Sequence, residues 1–455
     1  MEFLSISKNK RVEVFIDGVT TQGWGVGHID GFAVFVANAA IGDTILVHII
    51  KVKKNYAIGK LLDIIIPSPN RYEPDCPVFS QCGGCAYRHI TYDSELNIKY
   101  KQVKDAFSRI AHMDIKPQPI ISANNIDRYR NKAQFPVGFD GELKIGFYAP
   151  YSHRIINCRD CKLQPKEFTT ALQVFDEFLL QNHIPIYNEK ENKGLLRHIY
   201  LRKADATEEI LACAVINGDA LPNANILAEK LKDALPNLKG FLININKSDT
   251  NVILGDKCNL IWGQDYITDV LCGCKFRISP LSFYQVNSSQ AKMLYEKAQD
   301  YANLNSDDIL LDLYCGTGTI GLTMASKVKK LIGVEIVESA VKDANINAQI
   351  NNITNAKFIC DDAKNAVKKL IENDELPSVV LVDPPRKGLS PELISTIATI
   401  KPNRIVYISC DPATLARDCK LFEKSNYTVK ELTPVDMFPR TAHVETVVLM
   451  SRIEE

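Results

Sequence analysis

The sequence predicts an α/β protein of three units: a small N-terminal β-barrel, a central α+β unit, and a C-terminal doubly wound, Rossmann-like sheet. Three observations carry this expectation. Short strand-like runs punctuated by glycines fill residues 7–65. Cysteines cluster between 76 and 85, ahead of many further strand-like runs. From Ile309 onward, apolar runs alternate with helical segments, the pattern of a parallel sheet wound with helices. At 455 residues the chain is long for one domain, and the expected units are 1–66, 67–280 and 281–455.

Hydrophobic residues make up 46% and charged residues 24%, which supports packed cores and excludes disordered or collagen-like character. Fifty-four basic residues balance 54 acidic ones, so net charge points neither toward nor away from a polyanion. A small basic excess lies in the first two thirds. Apolar runs such as Phe32–Ala37 and Ile210–Ile216 fall short of the roughly 18 residues that cross a bilayer. The start, Met1-Glu2-Phe3-Leu4 running into Lys8, Lys10 and Arg11, lacks a secretory pattern. A cytoplasmic protein with no membrane partner is expected. The 13 cysteines, odd in number and widely spaced, argue against a disulfide framework. Some then pack as small hydrophobes, while others bind metal or do chemistry.

In the first unit, Arg11–Ile16, Phe32–Val36, Thr44–Ile50 and Tyr56–Ile64 read as strands, broken by Gly23, Gly25 and Gly27. About five short strands in so few residues suggest a closed, OB-like barrel. Lys51, Lys53 and Lys54 suit RNA phosphates, or simply keep a hairpin edge from pairing with other chains. Ser68-Pro69-Asn70-Arg71 marks a linker.

In the central unit, Cys76, Cys82 and Cys85 are spaced C-x5-C-x2-C, with Gly83-Gly84 permitting a tight turn around a ligand. A closed metal site needs a fourth thiolate, for which Cys158 and Cys161 are both candidates; spacing does not separate zinc from iron–sulfur. A helix is expected from Ser94 to about His112, with the C-terminal unit available as a packing surface. Strands are expected at Ala133–Val137, Leu196–Arg202, Glu209–Val215 and Gly240–Asn246. Arg128, Arg130 and Lys132, around Tyr129 and Asn131, form a basic stretch that suits RNA phosphates and a stacked base; a solvated strand surface is the alternative.

In the last unit, strand Ile309–Leu313 runs into Tyr314-Cys315-Gly316-Thr317-Gly318-Thr319, a glycine loop opening a helix. Such a loop lets backbone N–H groups approach a ligand closely. Glu335, ending the strand Leu331–Val334, is placed to accept both ribose hydroxyls of an adenosine. Gly316, Gly318 and Gly321 would equally serve a dinucleotide. Asp312 suits the amino group of an amino-acid tail, and Asp361 and Asp362 suit an adenine amine, which together favour S-adenosylmethionine.

Two further segments end later strands: Asp383-Pro384-Pro385-Arg386 and Ser409-Cys410-Asp411-Pro412. Prolines hold the preceding polar side chains over the sheet edge. Arg386 stands where N-methylating sites carry an aromatic ring, and a thiol follows one strand later. The C5 carbon of a pyrimidine is a weak nucleophile until a thiolate adds at C6; a base must then remove the C5 proton. Cys410 is the best nucleophile and Glu445, entering a late strand, the best base. Cys315 is a rival that should pack beside the methyl donor instead.

The set Phe283-Tyr284-Gln285-Val286-Asn287, Asp312 through Gly318, Asp383-Pro384-Pro385-Arg386, Ser409 through Thr414 and His443-Val444-Glu445-Thr446-Val447 resembles the RNA uracil-5-methyltransferase family. The barrel is similar to the TRAM domain of its ribosomal-RNA members, and Phe147-Tyr148 with Ser152-His153 to their middle domain. The resemblance implies Cys410 as nucleophile and Glu445 as base. It implies donor contacts from Gln285, Tyr314, Glu335, Asp362 and Asp383, and from Thr319, where relatives often have another residue. It implies a [4Fe–4S] cluster on Cys76, Cys82, Cys85 and Cys161, in a structural or RNA-positioning role. A monomer acting on a flipped-out uridine of 23S ribosomal RNA is expected. Transfer-RNA methylation, or a non-catalytic RNA-binding or assembly role, are the alternatives.

Overall fold

The computed structural model describes residues 6–453; the Met1–Leu4 start lies outside them. Alternating side chains build the first unit. Strands β1 (Arg11–Val19), β2 (Gly25–Ile29), β3 (Phe32–Val36), β4 (Thr44–Val52) and β5 (Tyr56–Ile66) close into a barrel in the order β1-β2-β3-β5-β4. Val14, Ile16, Val34, Val36, Ile45, Val47 and Ile49 fill its interior, the period-two pattern of a sheet with one buried face. The Ser68–Arg71 segment is no free linker. Arg71 pairs with the buried Asp43 at 2.6 Å and bonds the Asn38 carbonyl at 2.7 Å, fastening it to the barrel.

Helix α1 (Tyr92–Ala106) starts two residues ahead of its expected position, with Thr91 capping it, and ends in a π turn through Ala111. Glu95, Lys99, Val103 and Phe107, four residues apart, form one buried stripe. Val103, Phe107 and Ala111 enter a core shared with the C-terminal sheet.

The middle unit is one seven-stranded sheet. Its elements are β6 (Lys132–Phe139), β7 (Leu143–Tyr148), β8 (Ile155–Asn157), α2 (Lys166–Gln181), β9 (Leu196–Lys203), β10 (Ile210–Ile216), α3 (Ala224–Ala234), β11 (Leu238–Ile245) and β12 (Lys257–Gly263). The strands run in the order β12-β11-β10-β9-β6-β7-β8. Helices α2 and α3 cover the face bearing Ala133, Phe135, Ile199 and Leu201. The opposite face, with Tyr200, Leu211 and Val215, packs into the core of the C-terminal unit.

A hairpin, β13 (Ile267–Leu271) and β14 (Cys274–Ile278), and helix α4 (Ser288–Ala302) lead into the last sheet. There follow β15 (Ile309–Leu313), α5 (Thr319–Met324), β16 (Lys330–Glu335), α6 (Glu338–Ile350), β17 (Ala356–Cys360), α7 (Ala363–Glu372) and β18 (Val379–Val382). The chain ends through α8 (Pro391–Ile400), β19 (Arg404–Ser409), α9 (Pro412–Glu423), β20 (Tyr427–Val435) and β21 (Glu445–Arg452). The strand order is β17-β16-β15-β18-β19-β21-β20. The expected parallel pairing holds for the first five of these; β21 is antiparallel to both β19 and β20. Strand order reverses between β15 and β18, which opens a crevice beyond their carboxyl ends. Among the described residues, no helix is long and apolar enough to cross a membrane.

Candidate active site

The crevice is lined from β15, β16 and β18. Gly318 caps α5 with φ +79°, and a Cβ there would lie 3.1 Å from the Phe358 ring, so only glycine lets the loop sit so close to β17. Glu335 accepts from the N–H groups of Gly316 at 3.1 Å and of Ile336 and Val337 at 2.9 Å, which fixes its carboxylate at the loop. Asp312 accepts from Gly321 N–H at 2.9 Å through one oxygen, while its other oxygen is buried without a partner. Burial pushes the Asp312 carboxyl up to about 8. An orphaned buried carboxylate oxygen fits the ammonium of an amino-acid tail.

The other expected donor residues divide. Tyr314 holds the left-handed conformation (φ +65°) and is half-buried against one face of the C-terminal sheet's core. Asp362 caps α7, accepting from Lys364 and Asn365 N–H, whereas Asp361 pairs with Lys369 at 2.6 Å. Thr319 is buried against the Tyr295 hydroxyl at 3.3 Å. The main chain at Gln285 is pinned by Asn131, whose amide and N–H reach the Gln285 and Val286 carbonyls at 2.9 and 2.8 Å.

Cys410 and Glu445 come together through strand register. Ser409 lies opposite Thr446 in the antiparallel pair β19–β21, so the next residues outward are Cys410 and Glu445. Asp411 caps α9 through Ala413 and Thr414 N–H, at 2.9 and 3.0 Å, and holds the turn that presents Cys410. Burial, together with the carboxylates of Glu445 and Asp383 and against the guanidinium of Arg386, pushes the Cys410 thiol up to about 11. Burial likewise pushes Glu445 up to about 8, with Asp383 raising and Arg386 lowering it. Asp383 itself rises to about 7 through burial. Cys410 and Glu445, both raised by the neighbouring Asp383, thus share the guanidinium of Arg386 as an opposing positive group. Arg386 also touches His443 Nε2 at 3.3 Å.

The loop from Asp436 to Arg440, which feeds Glu445, is clamped at every carbonyl. Gln290 and Asn287 reach Asp436 O and Met437 O at 3.0 and 2.9 Å. Lys99 reaches Phe438 O at 3.1 Å and Tyr129 reaches Pro439 O at 2.8 Å. Ala86 and Tyr87 N–H, just past Cys85, bond Arg440 O at 2.8 and 3.0 Å. Lys99, fully buried, also pairs with Glu95 at 2.7 Å and Asp436 at 2.6 Å. Sequence reading missed this cluster. Its signal was the continuation of the Val103–Phe107 stripe through Lys99 and Glu95, charged residues at core spacing.

Cys76, Cys82, Cys85, Cys158 and Cys161 line one cavity of about 100 Å³ with Phe79, Phe147 and Leu163. Among the described residues, no three Cys, His, Asp or Glu side chains gather about one point as ligands of a single ion would. The thiols ring the cavity instead. The buried Arg88 bonds Asp75 at 2.8 Å and Asp127, bracing the turn that carries Cys85.

The basic stretch before β6 is only partly a surface. Arg128 is spent on Asp160 at 2.7 Å and on the carbonyls of Cys161 and Gln164. Tyr129 is buried at 6% exposure, so its ring is not free to stack on a base.

The tRNA (uracil-5-)-methyltransferase family matches residues 91–453 and the TRAM domain matches residues 7–62. The chain is 43% identical over 449 residues to an uncharacterized RNA methyltransferase of Clostridium tetani, covering 98% of each chain. It is 43% identical over 452 residues to another of Bacillus cereus, covering 99% of this chain and 98% of that one. It resembles the crystal structure of Pyrococcus abyssi tRNA (uracil-54, C5)-methyltransferase in complex with S-adenosyl-L-homocysteine. That match has a TM-score of 0.81 at 28% identity, covering 96% of this chain and 99% of that one. With an extended match of this kind over both the sheet and the barrel, the chain belongs to the tRNA (uracil-5-)-methyltransferase family, S-adenosylmethionine-dependent RNA methyltransferases, and carries a TRAM domain.

Proposed function

We propose that the protein methylates C5 of a uridine in 23S ribosomal RNA through a covalent bond between Cys410 and the uracil. The observation that carries the chemistry is the β19–β21 register, which brings a thiol and a buried carboxyl to one edge of the sheet. Cys410 Sγ adds to C6, moving the C5=C6 electron pair to C5. S-adenosylmethionine would supply an electrophilic methyl group, which C5 takes with its new electron pair as the methyl–sulfur bond breaks and S-adenosylhomocysteine is left. Glu445 then takes the C5 proton, the double bond re-forms, and the thiolate leaves. Asp312 and Glu335 hold the donor's ammonium and ribose, with Gln285, Tyr314, Thr319, Asp362 and Asp383 as further contacts. The uridine is flipped from its stack to reach Cys410.

The ring of thiols suits a [4Fe–4S] cluster on Cys76, Cys82, Cys85 and Cys161, since a polynuclear group spreads its ligands wider than one ion does. Its role is to stiffen the turn whose amides hold the loop before Glu445. A second reading, methylation of transfer RNA, is favoured by the likeness to the Pyrococcus abyssi enzyme, which spans nearly all of that chain. Mapping 5-methyluridine by mass spectrometry in RNA from cells with and without the gene decides between them. Loss of the mark from 23S RNA supports the first reading; loss from transfer RNA alone supports the second. Loss from neither removes both.

A further inference from the structure

Arg440 stands ahead of Glu445 in the chain and holds the left-handed conformation, with φ at +69°. A residue with a Cβ takes that conformation at a cost and keeps it where its surroundings over-determine it. Here several groups do so. The Arg440 N–H donates to the buried Glu95 carboxylate of α1 at 2.7 Å. The Arg440 carbonyl accepts from Ala86 and Tyr87, just past the cysteine turn, at 2.8 and 3.0 Å. Its buried guanidinium donates to the Ile90 carbonyl at 3.2 Å and lies 3.6 Å from the second Glu95 oxygen. The ring centres of Tyr72 and Tyr92 each lie 5.9 Å from the guanidinium carbon, within cation–π range. The side chain is spent on these groups, so whatever it does for the reaction runs through the backbone.

Beyond Arg440 the path is braced as far as β21. Thr441 donates through its N–H and Oγ1 to the Phe438 carbonyl at 3.2 and 2.8 Å. The His443 N–H donates back to Thr441 Oγ1 at 3.3 Å. Ala442 packs against a small cluster of Ala40, Tyr87 and Ile90, as do Val19 of β1 and Ile98 of α1. Barrel, cysteine turn and α1 thus all meet the chain at residues 440–442, immediately ahead of the base. The clamps from Gln290, Asn287, Lys99 and Tyr129 act earlier, on residues 436–439.

We propose that Arg440 is a positioning residue, which by fixing the left-handed turn sets the Glu445 carboxylate for removal of the C5 proton. This rests on the methylation reading above and assigns the residue to one step of it. In that step the carboxylate takes the proton from C5, and the electron pair of the C–H bond re-forms C5=C6. The S–C6 bond breaks, and its pair returns to Cys410. A base displaced by about 1 Å loses on the order of 10²-fold in rate. Thiol addition and methyl transfer come earlier and do not call on Glu445 as base.

The test joins steady-state kinetics to a gel assay for the covalent complex with ordinary RNA. Arg440→Gly removes the guanidinium and leaves a residue at ease with a positive φ. Its kcat should fall about 10- to 100-fold. Its kcat/KM for RNA should hold, because that ratio reports the steps up to irreversible methyl transfer. The methylated covalent complex should accumulate. With 5-fluorouridine RNA, which has no C5 proton, the adduct should form at the wild-type rate. A residue that only supports the fold would lower kcat and kcat/KM together, with no complex accumulating. That result, or a wild-type kcat, overturns the positioning role. Should Arg440→Gly fail to fold, Arg440→Lys is read by the same criteria. It keeps the charge without the fork that reaches Ile90, and a fall of about 3-fold or more is expected in kcat alone. Absence of any adduct between wild type and 5-fluorouridine RNA counts against the methylation reading. A normal wild-type adduct beside an Arg440 variant with no such split counts against the positioning role alone.

Discussion

Ser409 lies directly opposite Thr446 across the antiparallel pair β19–β21. The register carries Cys410 and Glu445, 35 positions apart in the chain, to neighbouring places at the mouth of the crevice. A slip of one residue would turn one of them to the other face of the sheet. The clamped loop from Asp436 to Arg440 sets the point at which β21 begins, and so guards that register.

Substitution at the pair should separate bond formation from release. Cys410→Ala is expected to abolish both methyl transfer and the gel-stable adduct with 5-fluorouridine RNA while leaving donor binding intact. Glu445→Gln should form an adduct with ordinary RNA and lose about 10²- to 10⁴-fold in turnover, the usual worth of a general base. Persistence of an adduct in Cys410→Ala would remove that thiol from its role.

Arg386 is the positive group that opposes the raised values of both Cys410 and Glu445. Without it, both groups should hold their protons to higher pH. The ascending limb of the kcat/KM profile should therefore move to more alkaline pH in Arg386→Gln, with a smaller effect at pH 9 than at pH 7. An unshifted limb would show that the guanidinium does not tune the pair.

The ligand-free protein should lose stability as pH rises through neutrality. Burial holds Asp312 and Glu445 up at about 8 and Asp383 at about 7, whereas the same carboxyls in an unfolded chain titrate near their ordinary values of about 4. Between these limits the folded state binds more protons, so stability falls with rising pH. The contribution is whole below about pH 4 and is lost as pH climbs through 7 to 8. Calorimetric Tm between about pH 6 and 8.5 should fall in wild type and fall less in Asp312→Asn. A Tm that rises over that span would contradict the burial of these acids.

Lys99→Met should cost about 3–5 kcal/mol in denaturant unfolding, because Glu95 and Asp436 are left buried without their cation. Adding Glu95→Gln and Asp436→Asn should recover part of the loss. In the same single variant the fluorouridine adduct should form more slowly, as the loop ahead of Glu445 loosens. Full stability in Lys99→Met would remove the buried cluster from the account.

Anaerobically purified protein should contain about four iron and four sulfide per chain. Cys161→Ala should lose them, while Cys158→Ala should keep them. Zinc at one ion per chain would replace the cluster with a mononuclear site.

Much of the architecture was legible in local pattern. Ile309–Leu313 is a strand with the expected bounds, because an apolar run of that length, broken only by Asp312, buries both faces of a parallel sheet. The glycine loop, the acid ending β16 and the proline-fixed turns after β18 and β19 are likewise local signals. The antiparallel pairing of β21 was not legible, since a run such as Val447–Met450 reads alike in either direction.

The sequence alone determined the kinds of chemistry available: a thiol, a carboxyl and a donor crevice on one sheet, with a separate group of cysteines and a barrel. Only the tertiary structure decided which charges are free and which are spent. Arg128 and Lys99 are consumed by partners distant in the chain, Tyr129 is sealed under Pro439, and Arg130 leaves its Nε buried without an acceptor. The reason is physical. Helix and strand periodicity arise between residues a few positions apart, whereas the pairing of a charge depends on which distant group the fold sets within about 4 Å of it.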